Sequence, residues 1–122
     1  ATLVAYRDAL VARDEAAMRA LFADDSMVFE NGKAEGSFAQ YMEHHLGPEL
    51  GEITEFTFTN PTVNVRMICH VALGHETYRY RIALKDGRVI ERDGVATSVL
   101  THGDGAWKIA QYHSSSRAPR PN

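Results

Sequence analysis

The sequence predicts an α+β domain: three N-terminal helices closing a strongly curved, cone-shaped antiparallel sheet over a cavity. Two observations carry this. First, the apolar period is helical up to about Leu46 and becomes two from Ile53 onward. Second, the stretch from Gly94 to Ser116 reads as two long strands joined by Gly103-Asp104-Gly105. On the second of these strands Trp107, Ile109, Gln111, His113 and Ser115 share one face. A face that begins apolar and ends in an imidazole and a hydroxyl is expected to run from a core into a cavity.

The elements follow in order. Leu3, Tyr6, Leu10 and Val11 recur at helical spacing and predict a first helix from Thr2 to Ala12. Asp14 caps a second, with Ala17, Met18, Leu21 and Phe22 as its stripe, ended by Asp24 and Asp25. Ser26 to Glu30 reads as a short strand and Asn31-Gly32 as a turn. Ser37 with Gln40 three residues later forms a capping box that opens a third helix over Phe38–Leu46, stopped by Gly47-Pro48. Phe56, Phe58, Val63 and Val65 then mark a strand in which Pro61 signals an edge or a bulge. Val71 to Leu84 is the next strand. Its apolar phase passes from odd positions (Val71, Leu73) to even ones (Tyr78, Tyr80, Ile82, Leu84), which predicts a bulge near Gly74-His75. Lys85 to Arg88 is a hairpin turn.

With 122 residues, 44% hydrophobic and 24% charged, the chain has the size and composition of one globular domain, 1–122, with 117–122 expected as a frayed tail that includes Arg117 and Arg120. The formal charge is −3 and the 13 basic residues are scattered, so no nucleic-acid partner is expected. No apolar run approaches the ~20 residues that span a bilayer. The single Cys69 excludes an internal disulfide. No signal peptide opens the chain, which gives a cytoplasmic expectation; a leader removed before Ala1 would change it.

Several residues are candidates for a site. Phe38, Tyr41, Met42 and His45 share a stripe of the third helix, and His44 lies about 100° away, so His45 is expected to face the sheet. His45, His113 and Ser115 would hydrogen-bond a ligand or move a proton; alternatively, His45 only interacts with the helix C-terminus. No histidine spacing suits chelation and no metal or cofactor is expected. Ser115 has no G-x-S-x-G elbow around it that would make it a nucleophile. Tyr78 and Tyr80 lie on the apolar phase of their strand, with Glu76 deeper along it, either as core or as cavity wall. Arg79, Arg81, Lys108 and Tyr112 fall on the opposite, convex face, which is expected to pair in a homodimer.

The order of elements, with Phe22-Ala23-Asp24-Asp25 after the second helix and Gly105-Ala106-Trp107-Lys108-Ile109 before a final His113-Ser114-Ser115, resembles the nuclear transport factor 2-like superfamily and, within it, the SnoaL-like proteins. The resemblance covers Leu3 to Ser116. It implies the cone fold, and a superfamily of isomerases, dehydratases, hydrolases, cyclases and non-catalytic binding domains. Matching the Y-A-D-D motif of ketosteroid isomerases to residues 22–25 implies an oxyanion-hole tyrosine at Tyr6 and a carboxylate base at Glu30. The third member, an acid in those enzymes, falls on Thr97, a weaker donor. The resemblance thus implies cofactor-free proton transfer on a small, largely apolar carbonyl compound: isomerisation, dehydration or cyclisation. Glu30 would be base, Tyr6 donor, and His45 and His113 proton carriers or anchors. Alternatively, Tyr6 is a core aromatic and Glu30 a solvated residue before a turn. The ending Tyr112-His113-Ser114-Ser115-Ser116 is also similar to the last strand of the association domain of calmodulin-dependent kinases, and to the His-His-Ser-Ser stretch of metal-free carbonic anhydrases of this fold. These imply an assembly or ligand-binding domain, or hydration chemistry, although Tyr112 replaces the first histidine of the latter.

Overall fold

A computed structural model of the chain describes residues 1–119. α1 (Thr2–Ala12) and α2 (Glu15–Ala20) precede β1 (Phe22–Glu30) and β2 (Lys33–Gly36). A helical rod follows in three end-to-end pieces: α3 (Phe38–Tyr41), a π-helical turn (Met42–Leu46) and α4 (Gly47–Glu52). Four long strands complete the chain: β3 (Ile53–Ile68), β4 (Val71–Leu84), β5 (Val89–Gly103) and β6 (Ala106–Arg117). They form one curved, unclosed six-stranded sheet in the order β2-β1-β6-β5-β4-β3, with β1 parallel to β6 and every other pair antiparallel. The helices cover its concave face.

α1 has the bounds its periodicity predicts, and it buries Leu3, Tyr6 and Ala9; Val11 lies 42% exposed instead. Asp14 accepts from the Ala17 N–H and caps α2, and both halves of the Ser37–Gln40 capping box form. α2 is shorter than expected. Phe22, Asp24 and Asp25 belong to β1, where Phe22 is buried and the aspartates are exposed. The Ser26 hydroxyl accepts from the Phe38 N–H in a buried bond that ties β1 to α3. Asn31 and Gly32 have φ of 48° and 86°, the geometry of a tight hairpin turn, and Lys33–Gly36 returns as β2, a strand the sequence does not announce.

Three expectations are corrected. Gly47-Pro48 does not end the third helix. Pro48 has no N–H to give and would crowd an α-helical turn before it. The π turn, closed by the Gly47 N–H on the Met42 carbonyl, widens the backbone there and the rod continues to Glu52. β4 has no bulge at Gly74-His75: its register against β3 and β5 is continuous through both residues. Ala72, Gly74 and Glu76 are the buried phase, so Val71 and Leu73 belong to the convex face. The bulge on this side lies in edge strand β3 between Thr59 and Thr62, around Asn60 (φ 51°) and Pro61. Finally, Arg117 is the last residue of β6, opposite Asp93, rather than part of a frayed tail. Arg120 lies outside the described residues.

The core lies between α1, the helical rod and the concave face of the sheet. Met18, Met42 and Ile109 are its most completely buried large side chains. Tyr6, Phe22, Phe38 and Tyr112 form its aromatic centre: Phe22 and Phe38 stack with centroids 3.9 Å apart, and Tyr6 meets Phe22 and Tyr112 edge-on at 5.1 and 5.3 Å. Gly74 lets α1 descend onto β4, since a Cβ there would come within 2.5 Å of Leu3 Cδ1.

Candidate active site

Beside this core the concave face opens into a cavity of about 130 Å³. Tyr6 and Arg7 of α1, Glu30 of β1, Tyr41 and Glu49 of the helical rod, and Glu76, Tyr78 and Tyr80 of β4 contribute to its wall. For scale, an apolar protein cavity of about 150 Å³ takes up benzene. The space therefore suits one small ring, with anything larger extending through the mouth.

Glu30 reaches this wall because Val28 and Glu30 point inward at the end of β1, in register with Tyr112 and Ser114 of β6. Its carboxylate is held from two sides. The Tyr41 hydroxyl donates to Oε1 at 2.8 Å, and His45 Nε2 lies 3.2 Å from Oε2. His45 is itself surrounded by acids, with Nδ1 2.5 Å from Glu35 Oε2 and Nε2 3.0 Å from Glu49 Oε1. Carboxylates beside both ring nitrogens favour a proton on each and so a positive charge on the ring. Burial opposes that charge, but the hydrogen bond to Glu35 and the charges of Glu30, Glu49 and Glu35 outweigh it and hold His45 above its ordinary value. Glu49 is raised, chiefly by burial. The π turn is what presents this ring: Tyr41 and His45 lie edge to face at 5.2 Å across it, both turned toward Glu30.

Burial raises Tyr6, Tyr41, Tyr78 and Tyr112 further from ionisation, so each stays a neutral O–H donor. Glu76, 5% exposed, is pushed by burial up to about 7, with the Arg7 charge acting in the opposite direction.

The structure thus brings together Tyr6, Glu30, Tyr41, Tyr78 and Tyr80, and adds His45 behind Glu30 rather than in the cavity wall. Phe38 and Met42 are core residues beneath the wall. His113 and Thr97 are corrected: they pair with each other on the exposed convex face, where His113 packs against Phe29 at 5.8 Å. For His113 the reason is one residue; Thr97, placed by the resemblance alone, lies on the outward phase of β5. Between Val99–Gln111 and Leu100–Ile109 the register shifts, leaving Ala110 as a bulge in β6. Beyond it the inward phase belongs to Tyr112, Ser114 and Ser116. Tyr112 is therefore 8% exposed inside the core instead of on the convex face. Ser115 is half-buried and borders the cavity. Arg79 and Arg81 do lie outward, paired with Asp93 and Glu55 at 2.8 and 2.9 Å, and Lys108 bonds the Ala20 carbonyl.

Sequence reasoning missed Arg7, Glu35 and Glu49 as site residues. The i, i+4 spacing of His45 and Glu49 was a usable signal; the approach of Glu35 depends on the unannounced strand β2. Glu30, Glu35 and His45 each offer one atom within 4.8 Å of the others, a grouping that could hold a metal ion. They already satisfy one another by hydrogen bonds, and Lys33 lies 3.6 Å from Glu35, so an ion would have to displace these contacts.

Three kinds of comparison bear on this arrangement. The sequence pattern of the SnoaL-like domain matches residues 1–119. No curated protein matches the sequence. Among solved structures, a candidate ketosteroid isomerase from Shewanella frigidimarina NCIMB 400 is 27% identical, with 93% of this chain and 91% of that one covered and a TM-score of 0.80. A candidate dehydratase of the NTF2-like family from Streptomyces avermitilis is 16% identical over 97% and 93%, with a TM-score of 0.82. A hexachlorocyclohexane dehydrochlorinase from Novosphingobium barchaimii LL02 is 15% identical over 95% and 82%, with a TM-score of 0.78. The last two likenesses concern the fold alone.

Proposed function

The chain belongs to the SnoaL-like family, and on that premise we propose that it transforms a small, largely apolar carbonyl compound by proton transfer, without a cofactor and with Glu30 as the base. The observation that supports this most is the carboxylate of Glu30 in the wall of a largely aromatic cavity, its two oxygens fixed by Tyr41 and His45. Each oxygen keeps a lone pair for a substrate proton. His45, 3.2 Å from Oε2, holds Glu30 in orientation. A C–H bond next to the carbonyl breaks, the proton goes to Glu30, and the electron pair moves onto the carbonyl oxygen. Tyr6, buried and neutral, donates to that oxygen. Glu30 then returns the proton to another carbon, or a leaving group departs with its electron pair. Isomerisation, dehydration and cyclisation can all begin this way.

α-Proton exchange of cyclohexanone in D2O, followed by NMR, tests the reading with a probe of the right size. The native protein is expected to accelerate exchange over heat-unfolded protein, and Tyr6→Phe to lower the rate by about 10²-fold, as loss of an oxyanion donor does. Binding of cyclohexanone with no exchange would instead mark a non-catalytic binding domain.

A second copy of the chain is proposed to cover the convex face. Val95 and Met27 stand about half exposed there, at 51% and 48%. The Arg79–Asp93 and Arg81–Glu55 pairs would form a polar rim. Light scattering at micromolar concentration is expected to give twice the chain mass; a monomer's mass would reject the pairing.

A further inference from the structure

Among the described residues, three buried side-chain atoms have no hydrogen-bond partner: Arg7 Nη1, Glu76 Oε2 and Ser98 Oγ. Orphans of this kind are rare because each has given up its hydrogen bonds to water without replacement, at a greater cost when charged. Their grouping follows from the fold. Leu3 of α1 rests on Gly74, and Arg7 lies one helical turn further along the same face. Glu76 lies two residues further along the same face of β4, and Ser98 pairs with Gly74 on β5. Arg7 and Glu76 both line the cavity, yet no ion pair within 4 Å joins them. A donor and an acceptor therefore lie without partners in the wall of one cavity and do not meet.

We infer that the floor of the cavity is a subsite for a hydroxyl group of the ligand, which accepts from Arg7 Nη1 and donates to Glu76 Oε2. The choice of group follows from the pair. A ligand carboxylate would meet the oxygens of Glu76, and a ligand ammonium would meet the Arg7 guanidinium. A neutral hydroxyl satisfies both whether or not Glu76 carries a proton. The substrate class narrows accordingly to small carbonyl compounds that also bear an alcohol, phenol or enol. This rests on the proton-transfer reading for the position of the reacting end. Glu30, Ser114, Ala96 and Glu76 stand in one row across β1, β6, β5 and β4. The base and the hydroxyl subsite thus lie at opposite sides of one concave surface, about 14 Å apart along the sheet and closer across its curve.

Phenol and toluene, alike in shape and size, are the probes. Transfer out of water alone favours toluene, so any preference for phenol has to come from polar partners. Phenol is expected to bind the native protein at least about tenfold more tightly than toluene in NMR titrations, the effect of a hydrogen bond to a charged group. Glu76→Met and Arg7→Met should each abolish that preference while leaving toluene affinity within about twofold, and Glu30→Gln should retain it. Toluene binding as tightly as phenol, as would happen if the orphans hold only a water that phenol does not replace, overturns the subsite. So does a preference that survives in both methionine variants. Cyclohexanone has no hydroxyl, so its exchange is independent of this floor. Exchange without phenol preference rejects the subsite alone; phenol preference without exchange rejects the proton-transfer reading alone.

Discussion

Replacing Glu30 with glutamine is expected to slow α-proton exchange of cyclohexanone by about 10²–10⁴-fold, the usual contribution of a positioned general base. Glutamine preserves the volume of the side chain and an oxygen for the Tyr41 hydroxyl, so the cavity should still form and cyclohexanone should bind with little change. What is removed is the group that takes the proton. The amide also turns a neutral group toward His45, whose charge then lacks one of its three carboxylate partners. The loss should therefore appear in kcat rather than KM. Glu30→Asp, which draws the carboxylate back by one methylene, should fall between the two. Equal exchange by wild type and Glu30→Gln would remove Glu30 from the chemistry and leave the cavity as a binding pocket.

The second large effect concerns stability. Glu76 is held at about 7 in the fold against an ordinary 4.5, by burial above all. Below pH 4.5 it is neutral in the folded and unfolded chain alike and has no differential effect. Between 4.5 and about 7 only the unfolded chain gives up the proton, so stability falls as pH rises, and the penalty is complete above the folded value. At about 1.4 kcal/mol per unit this amounts to roughly 3 kcal/mol, and to about 2 where water reaches the carboxyl through the cavity mouth. Glu76→Gln removes the ionisation. Chemical denaturation at pH 8 is expected to show the variant more stable by about 2–3 kcal/mol, with little difference at pH 4. His45 contributes a slope of the same sign: its folded value is raised, so its stabilisation is present below 6.5 and is lost as pH rises through the folded value. The variant keeps that part. Parallel pH profiles for the two proteins would show that Glu76 ionises in the fold at no cost.

How far the sequence discloses this protein depends on whether local signals act alone. α1, the Asp14 cap and the Ser37–Gln40 box are local, and each appears where the residues indicate. The strands are legible as strands, but their facing is not wherever apolar residues occupy both faces. Val71, Leu73, Val95 and Val99 are ordinary core residues by type and stand on the convex side, which produced a bulge in β4 that does not exist. Ala110, by contrast, is no Gly or Pro that would mark the bulge it makes, and so plain alternation turns His113 inward and Tyr112 outward, while Thr97 rests on resemblance alone. The Tyr6–Glu30 placement came through resemblance rather than periodicity. Of its supporting residues, Tyr41, His45 and Glu49 are joined by a helical rod that Gly47-Pro48 is expected to end, and Glu35 stands on the unannounced strand β2.

The bulge at Ala110 also bears on how such a cavity changes over descent. A substitution alters one wall residue at a time. Straightening that bulge with every residue kept would instead restore strict alternation through β6, and the whole segment after it would roll over by one position. Gln111, His113 and Ser115 would turn inward together while Tyr112, Ser114 and Ser116 turned to solvent. An aromatic and hydroxyl-lined wall would give way to one bearing an imidazole in a single step. The same change would leave β5, its partner strand, untouched in sequence. Related chains of this architecture that keep the same length between the G-x-W and the end of the last strand but lack the bulge should therefore be compared by strand phase, because position-by-position alignment there pairs side chains that face opposite sides of the sheet.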